Sequence, residues 1–492
     1  MFLFDILRID VIFVLVGALT SIYLYLKRTY SYWDRRGFKT FAGYDLIFGH
    51  FTRIIFQKEH ICNFLLKLYS TTTDPFIAIY GIFRPILVIR DPELIRLILI
   101  KNFAHFTDRG IHCNERYNPV TGNLVALQGQ RWKQLRAKLT PAFTNGKLKA
   151  MFPTLINCGM HLQDYLEKVA DNDKMLNVRE ICAGFTTNII ASVAFGIDVD
   201  SLHCPNNDFR KYGRKIFEPS FFNALRRLMR FIAPNVMNIL RIKSIKSEIE
   251  DFFISIVKEN LECREKNNIT RKDFFQLMIQ LRNNGTVQLD DDQWKTIIQT
   301  DENRKTMTLN EIAANTFIFF SAGFESSSNI MSFCLYELAM NTQLQKRAHN
   351  EIDHVLNEYN GQITFDSISA MKFLGLCIDE TIRKYPIAIY LSRNCVKDYR
   401  IPETNQIIEK GTGIMIPLYA LHMDEKYYDM PQKFDPDRFN EENSMGKNQL
   451  NRPYMPFGEG PRSCIAMRLG SMQIKVGLIV MLQKYRFEIE NK

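Results

Sequence analysis

The sequence predicts a mainly α fold: a large helical domain with a small β-rich region, preceded by an N-terminal transmembrane helix. Three observations carry that expectation. Residues 11–26 (VIFVLVGALTSIYLYL) run without a single charge. From about residue 60 to residue 390, apolar residues recur at helical spacing over long stretches. Strand-like alternation is confined to residues 76–80 and 86–89 and to short runs near 392–416.

Composition excludes several other kinds of chain. Of 492 residues, 46% are hydrophobic and 24% charged, which removes disordered, collagen-like and coiled-coil readings. The ten cysteines are scattered and no CxxC occurs, so they build no disulfide framework, and reduced thiols facing the cytosol are expected. The net charge of +10 is dispersed, without a basic tail or low-complexity run. That pattern argues against nucleic acid; a membrane surface or an acidic protein partner accounts for it equally well.

The N-terminal apolar run is short for a span. At about 1.5 Å per residue it reaches roughly 24 Å of a ~30 Å hydrocarbon core. Lys27 and Arg28 close the gap by snorkelling. A cleaved signal peptide needs a positive leader and small residues at its cut site. Here Asp5 and Asp10 flank Arg8, and bulky residues occupy 22–26. An uncleaved anchor over residues 1–28 is therefore expected over a signal peptide or a buried helix. Lys27, Arg28, Arg35 and Arg36 then place residues 29–492, read as one domain, on the cytosolic side.

Helical patterns follow over residues 93–101, 132–140, 150–170, 243–268 and 309–340. The last opens with a capping box, Thr308 and Glu311, and is apolar on every side, as a buried helix is. Its centre, AGFESSS (322–328), breaks the rule, because Gly and successive Ser are poor helix formers and Glu325 is costly to bury alone. Two readings stay open here: close helix packing through small residues, with Glu325 bonded to a neighbour, or a functional site.

The sharpest chemical signal is Phe457-Gly-Glu-Gly-Pro-Arg-Ser-Cys464. Two glycines allow a tight loop, and a helical pattern over 465–484 follows the cysteine directly. Amides and dipole at a helix start favour a thiolate. Without Cys or His companions nearby, Cys464 does not make a zinc site. It suits a single axial position on haem iron, the alternative being a buried structural cysteine.

This segment resembles the haem-binding signature of the cytochrome P450 superfamily, and other segments agree in order. Trp132-Lys-Gln-Leu-Arg136 resembles its W-x-x-x-R helix, residues 322–327 its oxygen-activating segment, and Glu380-Thr-Ile-Arg383 its E-x-x-R motif. Phe434-Asp-Pro-Asp-Arg438-Phe resembles the loop that supplies that motif's third partner. HFTDRG (105–110), KLTPAFTNGKLK (138–149) and YWDRRG after the anchor are similar to the insect family-6 members.

The resemblance implies a cytochrome P450 fold and a set of roles. Cys464 would be the proximal ligand to the iron of haem b, with Phe457 shielding its sulfur. Trp132, Arg136, Arg393 and Arg462 would bind the haem propionates, with Arg109 a further candidate, since a guanidinium fork suits carboxylates. Glu325 and Ser326 would relay protons to O2, and Glu380, Arg383 and Arg438 would form a structural network. The implied activity is monooxygenation of lipophilic xenobiotic or endogenous molecules at the endoplasmic reticulum membrane. Its electrons would come from NADPH through NADPH–cytochrome P450 reductase, with cytochrome b5 as a second donor. Arg131, Lys133 and Lys138 are candidates for docking that acidic partner. A degenerate, non-catalytic haem- or ligand-binding paralogue is the alternative.

Four departures from the family pattern stand out. Ser326 replaces the usual Thr and Ala466 the usual Gly, and the first proline is Pro75, so no proline-rich hinge follows the anchor. The sequence stops at Lys492, so a C-terminal β-hairpin that lines the substrate pocket is expected to be missing.

Overall fold

A computed structural model describes residues 2–170, 175–285, 306–440 and 453–490. Lys492, on which the missing-hairpin expectation rests, lies outside the described residues, as do the side chains of residues 2–10. The first helix, α1 (Phe2–Tyr30), contains a stretch, Val11–Tyr30, of mean hydropathy 1.6. Twenty residues cover about 30 Å, long enough to cross a membrane. Residues 11–25 are exposed throughout, so the buried-helix reading is set aside: apart from the contact of Tyr25 with Phe83, these side chains are not packed into the protein.

After α1, where the sequence has no proline-rich hinge, aromatic side chains dock the chain. Trp33 is fully buried; its indole Nε1 donates to the Ile79 carbonyl at 2.9 Å and its amide donates to Tyr80 Oη at 3.0 Å. Phe38 packs edge-on against Trp33, and Arg36 pairs with both oxygens of Glu409 at 2.8 Å.

These contacts rest on a four-stranded sheet of order β1-β2-β6-β3, made of β1 (Phe76–Gly81), β2 (Arg84–Ile89), β3 (Leu391–Asn394) and β6 (Gly413–Ile416). The β1–β2 and β3–β6 pairs are antiparallel; β2–β6 is parallel and joins segments far apart in sequence. A second sheet holds β4 (Tyr399–Arg400) and β5 (Ile407–Ile408). Both strand-like regions expected from alternation therefore form, and they meet in one sheet.

Among the helices, those that build the site are α2 (Gly129–Leu139), α3 (Asn145–Ala170), α4 (Val178–Ile190), α5 (Phe221–Ile232), α6 (Ser247–Asn267), α7 (Leu309–Met340), α8 (Lys372–Lys384) and α9 (Met467–Lys484). The pattern at 93–101 divides into a short α-helix capped by Asp91 and a wider π turn over Leu97–Lys101. The 132–140 pattern starts three residues earlier and tightens into a 3₁₀ turn at Thr140–Phe143, where Pro141 offers no amide.

Helix α7 runs through the main apolar core, and both hydrogen bonds of the Thr308–Glu311 capping box are made. Its AGFESSS centre does two things. Gly323 packs so closely on Ile190 of α4 that a β-carbon there would lie 2.7 Å from the isoleucine Cδ1. Gln473 of α9 donates to the Gly323 carbonyl at 2.8 Å and to Ser327. Small residues thus admit two neighbouring helices, and the same segment lines the cavity described next.

Candidate active site

The cysteine loop is closed by its own backbone. The Cys464 amide donates to the Phe457 carbonyl at 2.9 Å, and the Ser463 amide donates to the Gly460 carbonyl at 3.0 Å. Gly458 and Gly460 both take φ +71°, and a β-carbon on Gly460 would collide with the Leu99 carbonyl. Ala466 sits at φ −98°, a conformation any L-residue adopts, which is why alanine serves where the family pattern has glycine.

The Cys464 thiol opens into a cavity of about 700 Å³. It is accessible from that cavity although it lies deep in the protein. Its setting differs from the expected helix start, because α9 begins only at Met467 and the amide of Ala466 is what faces the sulfur. Burial pushes the thiol above its ordinary value, outweighing that amide and the nearby Arg109 and Arg136.

Four arginines gather around the same cavity. Arg136 of α2 donates to the Ser463 carbonyl at 3.0 Å, and Arg109 to the Arg462 carbonyl at 2.7 Å. Arg393 of β3 donates to the Ser392 carbonyl at 2.8 Å, while its Nε is buried with no hydrogen-bond partner. Burial pushes Arg109, Arg136, Arg393 and Arg462 below their ordinary range, and repulsion among the cations adds to it for Arg109, Arg393 and Arg462. The nearest carboxylate is Asp108, 3.7 Å from Arg462. Arg462 also lines the cavity and is held from behind. Its guanidinium donates to the carbonyls of Thr107 (2.8 Å), Leu124 (3.3 Å) and Leu127 (2.8 Å) and lies 3.8 Å over the Trp132 ring. It clamps the 107–127 segment to the cysteine loop, as Arg109 does through the Val125 and Arg462 carbonyls at 3.3 and 2.7 Å.

On the α7 side, Glu325 and Ser326 both line the cavity. The Ser326 hydroxyl donates to the Ala322 carbonyl one turn back, at 2.5 Å. Glu325 accepts from Arg179 of α4 at 3.4 Å and from Asn329 at 3.2 Å. The two are neighbours on one wall, and each bonds to a group other than its neighbour.

Glu380 and Arg383 of α8 meet in a fully buried two-point pair at 2.7 and 2.8 Å. Arg438 joins the Glu380 carboxylate at 3.0 Å, and the Asp435 amide adds a fourth donor at 3.0 Å. The remaining Arg383 donors reach the His422 and Pro431 carbonyls at 2.9 and 2.8 Å. This cluster does not line the cavity; it ties α8 to the loop ahead of the cysteine segment. Of the surface cations expected to dock a partner, Arg131 is already engaged by both oxygens of Glu115, at 2.5 and 2.8 Å. Arg179 and Gln473 escaped the sequence reading, since no local spacing marks them and only packing on α7 brings them to the site.

The donor set fits haem. One accessible thiol faces an apolar cavity, with a cluster of under-neutralised guanidinium groups beside it, matching one axial ligand plus a dianionic propionate edge. No group of three or more His, Cys, Asp or Glu able to hold a bare metal ion occurs among the described residues.

Comparison with known proteins points the same way. The Cytochrome P450 family model matches residues 46–492. The chain is 39% identical over 486 residues to probable cytochrome P450 6d4 of Drosophila melanogaster, covering 98% of this chain and 94% of that protein. It is 39% identical over 488 residues to cytochrome P450 6d3 of Musca domestica, covering 97% and 93%. To cytochrome P450 6k1 of Blattella germanica it is 36% identical over 479 residues, covering 97% and 91%. The thiol loop, the arginine-lined cavity and these matches agree: the chain belongs to the cytochrome P450 family and is a haem-thiolate monooxygenase.

Proposed function

We propose that the enzyme is an NADPH-dependent monooxygenase of the endoplasmic reticulum membrane, inserting one atom of O2 into lipophilic xenobiotic or endogenous molecules at haem b ligated by Cys464. The observation that carries this reading is the Cys464 thiol opening into an apolar cavity beside Arg109, Arg136 and Arg393. When bound, the haem supplies oxygen activation with electrons from a donor protein. The chain's own residues do the rest. Cys464 would hold the haem iron through its sulfur, deprotonated as a coordinating thiol is. Phe457 shields that sulfur. Arg109, Arg136 and Arg393, with Trp132 and Arg462 behind them, orient the propionate edge. The apolar walls exclude water and hold a lipophilic body by burial alone. Glu325 and Ser326 deliver protons to the cavity, once Ser326 turns from the Ala322 carbonyl. Glu380, Arg383 and Arg438 keep the cysteine loop in register.

The domain organisation supports the location. Residues 1–28 form the anchor and residues 29–492 the catalytic domain on the cytosolic face. Phe56, Phe83, Phe222, Ile239 and Leu240 expose apolar surface on that domain, and Phe83 touches Tyr25 of α1. NADPH–cytochrome P450 reductase, with cytochrome b5 as second donor, would dock through the exposed basic face of α2, where Lys133 remains exposed. Reduced protein under carbon monoxide is expected to show the red-shifted Soret band of thiolate-ligated haem, and Cys464→Ala to lose it. A normal band in that variant overturns the ligand assignment. Reconstitution with reductase tests turnover: hydroxylated product formed at the expense of NADPH supports the reading, and peroxide alone overturns it.

A further inference from the structure

Two cations in the cavity wall are not used by any step above. Arg227 and Arg230 lie three residues apart on α5, hence on one face of that helix. Both line the 700 Å³ cavity, and both line a second, adjoining cavity of about 250 Å³. Phe217, Ile318, Ser321 and Ala322 are shared between the two spaces in the same way. This pair is distinct from the arginines at the cysteine loop. The charged neighbours of Arg462 are Arg109, Asp108, Arg393 and Arg136, whereas the titratable neighbours of Arg230 are Tyr390, Cys113 and His112, the last also donating its amide to the Arg230 carbonyl at 2.8 Å.

What sets these two apart is their lack of partners. Nearby cations on the smaller cavity are satisfied: Lys215 pairs with Glu248 at 2.6 Å, Lys246 with Glu218 at 3.4 Å, and Arg226 donates to Asn223 at 3.1 Å. Among the described residues, neither Arg227 nor Arg230 has a carboxylate within ion-pair distance, and the buried Nε of Arg230 has no hydrogen-bond acceptor. The acidic residue lining either cavity is Glu325, which Arg179 engages. Arg227 keeps an exposed side chain, whereas Arg230 is the more enclosed of the two, and burial pushes its guanidinium below its ordinary range. An unpaired buried guanidinium is costly. In the wall of a substrate cavity, that cost is relieved when an anion arrives with the substrate.

We propose that the enzyme takes lipophilic carboxylates, whose head group pairs with the guanidinium of Arg230 beside Arg227, while the apolar body lies along Phe217, Ile318 and Phe231. This rests on the monooxygenase reading of the cavity and names its substrate class. A guanidinium presents two parallel N–H donors to a carboxylate, and such charge-assisted pairs are about twice as strong as neutral hydrogen bonds. A held head group also directs oxidation to carbons remote from it.

The test compares decanoic acid with its methyl ester, which differ at the head group and share the chain. Affinities come from the substrate-induced Soret shift and, independently of the haem, from calorimetry. The acid is expected to bind about 10- to 100-fold more tightly than the ester, the range a charge-assisted pair supplies. In Arg230→Leu that ratio should fall to near one, and in Arg230→Lys to an intermediate value. Equal binding of acid and ester to the unaltered enzyme overturns the proposal, as does a ratio unchanged in a correctly folded Arg230→Leu. Should Arg230→Leu fail to fold, Arg230→Gln and the ratio in the unaltered enzyme decide. The carbon monoxide band separates the two readings. Its presence with an acid-to-ester ratio near one overturns only the carboxylate assignment; its absence from the unaltered enzyme overturns both.

Discussion

Glu380 illustrates what a single residue carries in this protein. Its carboxylate accepts from Arg383, Arg438 and the Asp435 amide, all within 3.0 Å and out of contact with water. Removing one member of such a cluster leaves a buried charge unpaired, which costs about 3–5 kcal/mol. Glu380→Gln should therefore lower stability by that order, read as a shift of the denaturation midpoint, and should lower the fraction of protein that retains haem. Arg393 predicts a different outcome, because its Nε has no internal partner to lose. Arg393→Ala should leave the fold intact while haem transfer to an acceptor protein becomes faster. A denaturation midpoint that falls as far as that of Glu380→Gln would contradict the separation of roles.

At the scale of elements, the connection between α1 and the sheet and the centre of α7 show how packing takes over from local propensity. Trp33 and Phe38 fix the chain where no proline stiffens it, through the indole bond to Ile79 and the Trp33–Phe38 edge contact. Trp33→Ala should cost about 3–5 kcal/mol, the usual loss for a fully buried aromatic. Denaturant unfolding followed by circular dichroism measures it. In α7, Gly323 allows the close approach of Ile190. Gly323→Val overfills that contact and should destabilise by about 1–3 kcal/mol. Gly323→Val combined with Ile190→Ala should recover part of the loss, which a double-mutant cycle reads directly.

Across the whole molecule, an apolar helix long enough to cross a membrane precedes a helical body whose exposed apolar side chains include Phe56, Phe83, Phe222, Ile239 and Leu240. Deleting residues 1–28 should convert the protein from one that floats with lipid vesicles at any salt concentration to one that binds partly and reversibly. Complete release would show that the catalytic domain offers no apolar face to the bilayer. The larger architecture also explains how one chain builds a site from distant parts: Arg109, Arg136, Arg393 and Cys464 meet only because β2 and β6 pair and because the cysteine loop packs on the segment at 107–127.

Much of this was legible in the linear chain. A charge-free run predicts the apolar helix, periodicity predicts the long helices, and the glycine-cysteine spacing selects Cys464 from ten thiols. These are local properties, set by hydropathy period, capping and turn chemistry within a few residues. Other features are absent from any local window. The start of α9 at Met467, the engagement of Arg131 by Glu115, the clamp role of Arg462 and the Arg179–Glu325 contact depend on which segments meet in space. So does the contrast among the cations around the cavity. Every arginine carries the same charge in the sequence, and only the tertiary structure decides which have internal acceptors and which, like Arg230, are left facing an interior space. The physical reason is that the energy of a buried charge depends on its surroundings, and those are assembled by the fold.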